Sequence, residues 1–338
     1  MNQKTKSRLI SNLKNHKMTM NELKEEFKVS EKTMKNYLKE LEDQFIEVDV
    51  QKKRGRGRQP LLYHINMLPE VGNEYYISEA PKRRSSMRFG FASDLHIASK
   101  YHLPKTLRDS LKRLDEEGIK KVYVAGDIVD GLDIYRGHRE NIVTTSIEEQ
   151  TDLAAELFNE FPNMEFWGIA GNHDYSFTKK DGSKPLAIIE SKVDNFKNLG
   201  DLRADVVFKG MKIRLLHGGS GRTYARSYPT QVYLRDLFGG SEQKDIRDMP
   251  DLLLVGHYHT RYHSKDHGIE VIQPGSFQDG DNEYCIRRGL TGPNGLYLVE
   301  FDFQDGIIDE IVTRYIQPKT AMSEKGEGFR KTIRNYRA

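Results

Sequence analysis

The run KVYVAGDIVD, residues 121–130, places a short apolar segment directly before two carboxylates. Its first half is rich in Val and Tyr and predicts a strand, and Gly126 and Asp127 follow the end of that strand. Similar strand-like runs occur at residues 88–92, 165–170, 212–216 and 252–255, with helical segments between them. This alternation predicts an α/β fold. Because sites in such sheets gather beyond strand ends, we expect the chemistry there.

The composition is typical of a globular protein with two domains. The chain has 338 residues, of which 37% are hydrophobic and 30% charged, so it can bury a sizeable core and is not a disordered chain. The single Cys285 cannot form an internal disulfide, and no early segment resembles a secretory signal. No run approaches the roughly 20 apolar residues of a membrane-spanning helix. We therefore expect a cytoplasmic protein that does not enter a membrane.

Positive charge is concentrated in the N-terminal region. Residues 1–66 carry 15 Lys and Arg against 9 Asp and Glu, whereas the rest of the chain carries 38 against 41. The same region has apolar residues at helical spacing as far as Leu41, and Thr19 and Ser30 could cap helix starts. Alternating residues on either side of a basic, glycine-containing turn at 52–58 then predict a β-hairpin between residues 45 and 65.

Three helices followed by a hairpin with a basic tip resemble a winged helix-turn-helix domain, whose third helix lies in the major groove of DNA. The resemblance covers about a fifth of the chain. It implies that residues of the third helix and of the basic hairpin, called the wing, contact nucleic acid and neutralise its phosphates. These residues are Lys32, Thr33, Lys35, Asn36, Lys39, Lys52, Lys53, Arg54, Arg56 and Arg58. The alternatives are a solvated charged face and a module for dimerisation or protein binding.

Five strand-like segments of the remaining chain end in residues of the types that bind metal ions in proteins. The motifs are Ser93-Asp94-Leu95-His96, Gly126-Asp127-Ile128-Val129-Asp130, Gly171-Asn172-His173-Asp174, Leu216-His217-Gly218-Gly219 and Gly256-His257-Tyr258-His259. A mixture of Asp, Asn and His suits manganese, iron or zinc better than calcium, which prefers oxygen alone. Glycine beside several of these residues allows sharp turns and leaves room for them to converge. The set predicts a metal site built from five separate strand ends.

In this order, the motifs resemble the calcineurin-like metallophosphoesterase superfamily across about 230 residues. The resemblance implies a metallophosphoesterase β-sandwich flanked by helices, and a hydrolase that uses two divalent metal ions, with Mn2+ first and Fe, Zn or Mg as alternatives. By the same resemblance, one metal would be bound by Asp94, His96, Asp127 and His259, and the second by Asp127, Asn172, His217 and His257. His173 would stabilise or protonate the leaving oxygen, and Asp130 would orient the His173 ring.

These observations predict four segments. Residues 1–66 would form the winged-helix domain, residues 67–86 a linker, and residues 87–318 the metallophosphoesterase domain. The linker prediction depends on the polar composition and weak periodicity of its residues. Residues 319–338 would form a basic tail, with six Lys and Arg against two Glu, that either contacts phosphate or is disordered.

The metal motifs indicate the reaction and not the substrate. A basic module fused to a catalytic domain would concentrate a polymeric substrate by tethering, so we expect a nuclease acting on DNA, or less readily on RNA. Residues 126–139 also resemble the corresponding segment of the small subunits of archaeal DNA polymerases. Within it, Tyr135, Arg136, His138 and Arg139 either contact a phosphate backbone or form a solvated helix start.

Two other functions stay open at this point. One is a DNA-binding regulator whose phosphoesterase domain acts on a small or cyclic nucleotide, and the other is a protein phosphatase recruited by the N-terminal module. A homo-oligomer is among the alternatives for the oligomeric state.

Overall fold

The computed structural model describes residue 1 and residues 3–42, 48–52, 61–65, 73–77, 84–208, 211–219, 226–239, 249–280, 285–286, 292–304 and 307–324. These residues form two units, one made mainly by Met1–Pro69 and one mainly by residues from Glu70 onward. Among the described residues, no helix combines the length and the apolar character that crossing a membrane would need.

Three helices and a small sheet form the N-terminal unit. Its elements are α1 (Gln3–Asn15), β1 (Met18–Thr19), α2 (Met20–Phe27), α3 (Glu31–Glu42), β2 (Val48–Lys52) and β3 (Leu61–Ile65). The helices share a buried core of Leu9, Leu13, Leu23, Met34, Leu38 and Leu41. The sheet has the order β1-β3-β2 with antiparallel neighbours. The predicted helices and hairpin are confirmed, whereas the basic tip of the hairpin, residues 53–60, lies outside the described residues.

Local side-chain hydrogen bonds determine where two of these helices begin. Thr19 Oγ1 accepts a hydrogen bond from the Glu22 N–H at 3.3 Å, and the Glu22 carboxylate accepts one from the Thr19 N–H at 2.6 Å. This reciprocal pair is a capping box. Ser30 Oγ likewise accepts from the Thr33 N–H at 3.2 Å. Both predicted caps are therefore confirmed.

Two six-stranded sheets form the second unit. The first has the order β15-β14-β5-β6-β7-β8, and the second β12-β13-β11-β10-β9-β4. Their strands are β4 (Asn73–Ile77), β5 (Arg84–Ala92), β6 (Lys121–Ala125), β7 (Glu165–Ala170), β8 (Phe196–Asp201), β9 (Arg203–Phe208), β10 (Met211–His217), β11 (Leu252–Gly256), β12 (Arg261–Asp266), β13 (Ile269–Pro274), β14 (Leu296–Gln304) and β15 (Ile307–Ile316). Strands β5 to β8 run parallel, as do β10, β11 and β13.

Strand β6 shows how the layers pack. Its side chains alternate between two cores, because successive residues of a strand point to opposite faces of the sheet. Tyr123 and Ala125 belong to the core shared with the second sheet. Val122 and Val124 belong to the core shared with the helices. The fold is thus a β-sandwich with helices outside, as predicted. Its helices are α4 (Pro104–Glu116), α5 (Ile147–Asn159), α6 (Asn172–Asp181) and α7 (Pro185–Lys192). Helix α8 (Tyr228–Gly239) begins in this unit, whereas its residues from Leu234 onward are grouped with the N-terminal unit.

Residues 67–86, predicted as a linker, contain more regular structure than the sequence indicates. Strand β4 pairs parallel with β9, and Asn73 lies opposite Ala204. Strand β5 begins at Arg84, three residues before the predicted domain start at Met87. Strand β4 lies at the edge of its sheet, where Tyr75 packs against the core. A strand with so small a buried face leaves little periodic signal in the sequence.

The predicted basic tail begins with a structured turn. Residues Thr320–Ser323 form a short helix, and the Glu324 carboxylate after it is buried against the start of α4. The Glu324 oxygens accept hydrogen bonds from the Lys105 N–H at 2.9 Å and from the Thr106 N–H and Oγ1, both at 2.7 Å. Helix α4 has no side-chain cap of its own, so Glu324 supplies one. Residues 325–338 lie outside the described residues.

We expect Glu324→Gln to lower the free energy of unfolding by about 1–3 kcal/mol, because an amide NH2 would face N–H donors in a buried place. Urea denaturation followed by circular dichroism measures this change. Glu310→Gln, which alters an exposed side chain of β15, is the matched control and should change stability little. Equal unfolding midpoints for the two variants would contradict the assigned cap.

Candidate metal centre

Seven side chains converge at the carboxyl ends of strands from both sheets. They form two clusters, one of Asp94, His96 and His259 and one of Asp127, His217 and His257. Within each cluster the possible ligand atoms lie within 4.8 Å of one another. Asn172 joins the second cluster, because its Oδ1 lies 3.0 Å from His217 Nε2 and 2.9 Å from His257 Nδ1. The structure thus brings together all seven side chains that the sequence singles out as metal ligands.

Asp127 lies between the two clusters. Its Oδ2 is 3.3 Å from His217 Nε2 and 3.9 Å from His96 Nε2. Its Oδ1 accepts a hydrogen bond from the His173 N–H at 2.9 Å. The side chain is almost fully buried. Asp127 is therefore placed to contact cations in both clusters.

Five of the seven residues have a left-handed backbone, which L-residues seldom adopt. Their φ angles are 54° at Asp94, 49° at His96, 52° at Asp127, 85° at His257 and 51° at His259. Main-chain hydrogen bonds hold some of these turns: the Asp94 N–H donates to Gly126 O at 3.0 Å and the His96 N–H to Asp127 O at 2.9 Å. Strain of this kind, costing about 1–3 kcal/mol a residue, is typical of functional sites.

Two glycines make the close approach possible. A Cβ at Gly171 would lie 2.1 Å from Asp127 Oδ1. A Cβ at Gly126, which has a φ of +88°, would lie 2.3 Å from His217 Nδ1. A side chain at either position would displace a candidate ligand, as the glycines beside these motifs led us to expect.

The second cluster has acceptor atoms facing one another. The Nδ1–H of His217 donates to Ala125 O at 2.7 Å, so the other nitrogen, Nε2, faces the cluster. It lies close to the oxygens of Asn172 and Asp127, at 3.0 and 3.3 Å. Lone pairs that converge in this way require a proton or a cation between them. The donor set therefore fits a cation.

The first cluster has the same character. Asp130 Oδ1 accepts the Nδ1–H of His96 at 2.9 Å, which leaves His96 Nε2 facing His259 Nε2 at 3.0 Å. Asp94 Oδ1 lies 3.4 Å from His259 Nε2. The His257 N–H donates to both carboxylate oxygens of Asp94, at 3.0 and 2.9 Å, and so links the two clusters.

The electrostatics of both clusters favour positive charge. Burial opposes protonation of His217, but the Asp127 carboxylate outweighs it and raises the His217 pKa to about 9. Burial also lowers the His259 pKa, but the neighbouring Asp94 carboxylate outweighs burial and raises this pKa well above its ordinary value. His257 differs, because burial and the neighbouring His217 lower its pKa to about 3, so its ring is neutral and able to bind a metal. Together the His and Asp clusters are consistent with divalent metal binding.

A third group, formed by His96, Asp130 and His173, also has its polar atoms within 4.8 Å of one another. The His96 Nδ1–H donates to Asp130 Oδ1, and the His173 Nδ1–H donates to Asp130 O at 2.6 Å. Both nitrogens that face Asp130 thus carry hydrogens. We interpret this group as a hydrogen-bond network and not as a further metal site.

This network refines the part expected of Asp130. Its backbone carbonyl fixes the His173 ring, whereas its carboxylate oxygen Oδ1 lies 3.6 Å from His173 Nδ1. The carboxylate instead contacts His96 and, through Oδ2 at 3.3 Å, His138 Nε2. Burial opposes ionisation of Asp130, but hydrogen bonds from His138 and His96 hold its pKa below the ordinary value.

Asp174 joins the ends of strands β6 and β7. Its buried carboxylate accepts hydrogen bonds from the N–H groups of Gly171 at 2.8 Å, Val129 at 2.9 Å and Ile128 at 3.2 Å. These donors belong to the loops that carry Asp127 and Asn172. Asp174 therefore supports the loops on which these two candidate ligands lie.

Sequence reasoning missed two residues of the network. His138 is 1% exposed and contacts Asp130, although it lies in the polar run Arg136 to Glu140 that a solvated helix start would explain. Gln278 Nε2 donates to Ser99 Oγ at 3.0 Å and lies 3.5 Å from Asp130 Oδ1. The only signal for Gln278 is its place shortly after the end of β13, a strand parallel to β11.

The residues after β6 that were considered for contacts with a nucleic-acid backbone have different surroundings in the structure. Arg139 makes a two-pronged ion pair with Asp133, with both N···O distances at 2.6 Å. The Tyr135 hydroxyl accepts a hydrogen bond from Asn141 Nδ2 at 3.2 Å. Arg136 is exposed. Of the two arginines, Arg136 is therefore the better placed for a phosphate.

The candidate nucleic-acid residues of α3 lie mostly on its exposed side. Lys32, Lys35, Asn36 and Lys39 are exposed. Lys35 Nζ lies 2.7 Å from Glu31 Oε1, so part of its charge is neutralised. Thr33 is half-buried, and its Oγ1 contacts Ser30 Oγ at 2.9 Å. Lys52 ends strand β2, and Lys53, Arg54, Arg56 and Arg58 lie outside the described residues.

Two sequence families match separate parts of the chain. The profile of the calcineurin-like phosphoesterase superfamily domain matches residues 87–286. The profile of an HTH domain matches residues 5–59.

The individual relatives share only about a quarter of their aligned residues with this chain. The DNA polymerase II small subunit of Methanothermobacter thermautotrophicus is 27% identical over 251 residues, which cover 62% of this chain and 52% of that protein. The subunit of the same name from Archaeoglobus fulgidus is 26% identical over 228 residues, or 56% of this chain and 46% of the relative. The chain thus spans about half the length of these relatives. A solved structure described as a novel archaeal phosphodiesterase aligns with a TM-score of 0.40 at 17% identity, covering 68% of this chain and all of that one.

Proposed function

The chain belongs to the calcineurin-like phosphoesterase superfamily, and we propose that it is a two-metal phosphodiesterase that hydrolyses DNA, or less readily RNA. The observation that carries the proposal is the pair of donor clusters with Asp127 between them. The first ion would be held by Asp94, His96, Asp127 and His259, and the second by Asp127, Asn172, His217 and His257. We propose manganese as the metal, because a mixed set of imidazole, amide and carboxylate donors suits it.

The chemistry needs both charge neutralisation and an activated water. Divalent ions supply these when bound, since they lower the pKa of a water molecule and offset the charge of the phosphate. The chain contributes a pocket in which the donor atoms already converge and Asp174 braces the loops that present them. A preformed site of this kind avoids reorganisation during the reaction.

His173 is our candidate for the group that serves the leaving oxygen. Its Nδ1–H donates to Asp130 O, so Nε2 is the nitrogen available to substrate. Burial lowers the His173 pKa to about 4, with a smaller opposing effect from Asp127. A phosphate anion beside Nε2 would favour the protonated ring. His173 could then donate that proton to the departing oxygen.

Two features support a polynucleotide substrate. The HTH domain presents exposed cationic residues on α3, including Lys32 and Lys39. The relatives named as DNA polymerase small subunits also favour DNA as the substrate class, and association with DNA-bound proteins as the setting. Binding through the HTH domain would raise the local concentration of phosphodiester bonds at the metal centre.

Hydrolysis assays test this proposal directly. The purified chain with Mn2+ would be incubated with single- and double-stranded DNA, RNA, cyclic nucleotides and an aryl phosphate. We expect cleavage of DNA that EDTA abolishes. Hydrolysis of small phosphates alone, with every polynucleotide intact under each metal tried, would point instead to a small-nucleotide enzyme and refute the nuclease.

We expect the double substitution Lys32→Ala and Lys39→Ala to weaken duplex DNA binding and to lower the salt dependence of log K by about one for each phosphate that a lysine no longer neutralises. Gel-shift titrations at several salt concentrations measure both effects. The control is Lys120→Ala, which removes an exposed cation from the other unit. Identical salt slopes for the wild type, the double variant and the Lys120 control would rule out Lys32 and Lys39 as phosphate-binding residues.

A further inference from the structure

We propose that His138 is a positioning residue of the metal centre, which holds Asp130 and, through it, His96 in the arrangement that presents His96 Nε2 to the first cluster. The proposal deepens the proposed function and rests on it. His138 is neither one of the seven candidate ligands nor the leaving-group residue.

The main chain determines which nitrogen of His138 carries hydrogen. Nδ1 of His138 accepts a hydrogen bond from the Ile134 N–H at 3.3 Å. A nitrogen that accepts an N–H bond carries no hydrogen of its own, so the hydrogen of the neutral ring is on Nε2. Nε2 lies 3.3 Å from Asp130 Oδ2 and donates to it. His138 is thereby fixed as a donor to Asp130.

Asp130 in turn determines which nitrogen of His96 carries hydrogen. The Asp130 and His96 side chains are buried, with 1% exposure each, so water does not compete for their hydrogen bonds. With Oδ2 occupied by His138, Oδ1 accepts the His96 Nδ1–H at 2.9 Å. Nε2 of His96 then points to the first cluster, 3.0 Å from His259 Nε2. A carboxylate that fixes the tautomer of a candidate metal ligand commonly raises metal affinity.

His138 also packs behind the candidate leaving-group residue. The His138 and His173 rings meet edge to face with centroids 5.5 Å apart. On its other side, His138 packs against Tyr135 at 4.7 Å. The His173 ring is thus in contact with His138 on one side, and its Nδ1–H donates to Asp130 O.

A packing role and a positioning role predict different effects of substitution. If His138 only fills space, an apolar side chain of similar volume should serve as well. If it positions Asp130, the replacement must carry an N–H donor at the place of Nε2. Glutamine carries such a donor about as far from the backbone, whereas leucine does not.

The experiment compares His138→Gln and His138→Leu in the full chain. We measure the His96 tautomer by 15N NMR of the metal-free protein, Mn2+ affinity by calorimetry, and hydrolysis of bis(p-nitrophenyl) phosphate. His138→Gln should keep the His96 tautomer and a Mn2+ affinity near that of the wild type. His138→Leu should give mixed His96 tautomers and weaken Mn2+ binding by about 10- to 100-fold, the usual effect of removing a group that supports a ligand.

The matched control is His263→Leu, which removes another histidine–carboxylate contact, the 3.0 Å pair of His263 with Glu270 on strands β12 and β13. It should leave the His96 tautomer and the Mn2+ affinity unchanged. Circular dichroism checks folding, and His138→Asn, whose amide is too short to reach Asp130, replaces the leucine variant if that one is unfolded. Wild-type tautomer and affinity in His138→Leu, or in the asparagine variant that replaces it, would overturn the proposal. Losses in His138→Gln equal to those in this variant would overturn it as well.

These readouts separate the proposal from the proposed function. A wild-type chain that binds Mn2+ but hydrolyses no phosphate ester would refute the phosphodiesterase. The NMR and calorimetric comparison of the His138 variants would still decide whether His138 positions the site.

Discussion

Asp127→Asn is expected to abolish hydrolysis and to weaken Mn2+ binding by more than about 100-fold, because losing even a group that only supports a ligand costs 10- to 100-fold. Asp127 is the carboxylate between the clusters, with Oδ2 3.3 Å from His217 Nε2 and 3.9 Å from His96 Nε2. An amide would remove the negative charge that both cations need. Its NH2 group would also face imidazole nitrogens or the His173 N–H.

Metal content by elemental analysis and hydrolysis by a colorimetric assay measure the two losses. Asp133→Asn is the matched control, because Asp133 is an exposed carboxylate on the same loop that pairs with Arg139 and lies outside both clusters. It should keep the metal content and rate of the wild type. Two ions bound with ordinary affinity by the Asp127 variant would contradict the bridging position.

His173→Ala is expected to keep both metals and to lower kcat by about 10²- to 10⁴-fold, the usual contribution of a positioned acid or base. The His173 ring is held by Asp130 O and belongs to neither donor cluster. Its loss should therefore affect the reaction and not the cations. The same elemental analysis that shows metal loss for Asp127→Asn should show none here.

The nature of the leaving group sharpens the test of His173. A nucleoside leaving oxygen is strongly basic and needs a proton, whereas p-nitrophenolate leaves readily without one. The loss of rate in His173→Ala should be larger for a dinucleotide than for bis(p-nitrophenyl) phosphate. Equal losses on both substrates would show that His173 does not protonate the leaving oxygen, and an unimpaired rate would remove it from the reaction.

The sequence predicted the parts of the site that depend on strand ends. Each motif follows a strand, and strands that run parallel bring their ends to the same edge. Asp94, Asp127 and Asn172 could therefore be placed together from their positions in the chain alone. The need for glycine at positions 126 and 171 could also be predicted from the neighbouring residues, since a Cβ there would collide with a candidate ligand.

The remaining features depend on contacts between distant residues. Strand β4 pairs with β9 across more than a hundred residues, and a short edge strand carries little pattern of its own. Glu324 caps α4 from 218 residues away, so nothing near Thr106 in the sequence indicates it. His138 is buried although its neighbours Gly137 and Arg139 are exposed, because it turns inward to Asp130. Local periodicity does not encode such choices.

The backbone of the site was also beyond sequence reasoning. Glycine is the residue expected at a positive φ, yet Asp94, His96 and Asp127 adopt it without being glycine. Such strained positions break local rules, and these exceptions are expected at functional sites. Their clustering at the candidate ligands is a structural finding that supports the metal centre independently of the motifs.

Anomalous diffraction from crystals of the full chain soaked in Mn2+ would show whether the two donor clusters each hold an ion. We expect two manganese peaks, one among Asp94, His96 and His259 and the other among Asn172, His217 and His257, with Asp127 in contact with both. A pocket without manganese, or manganese bound only elsewhere on the chain, would contradict it.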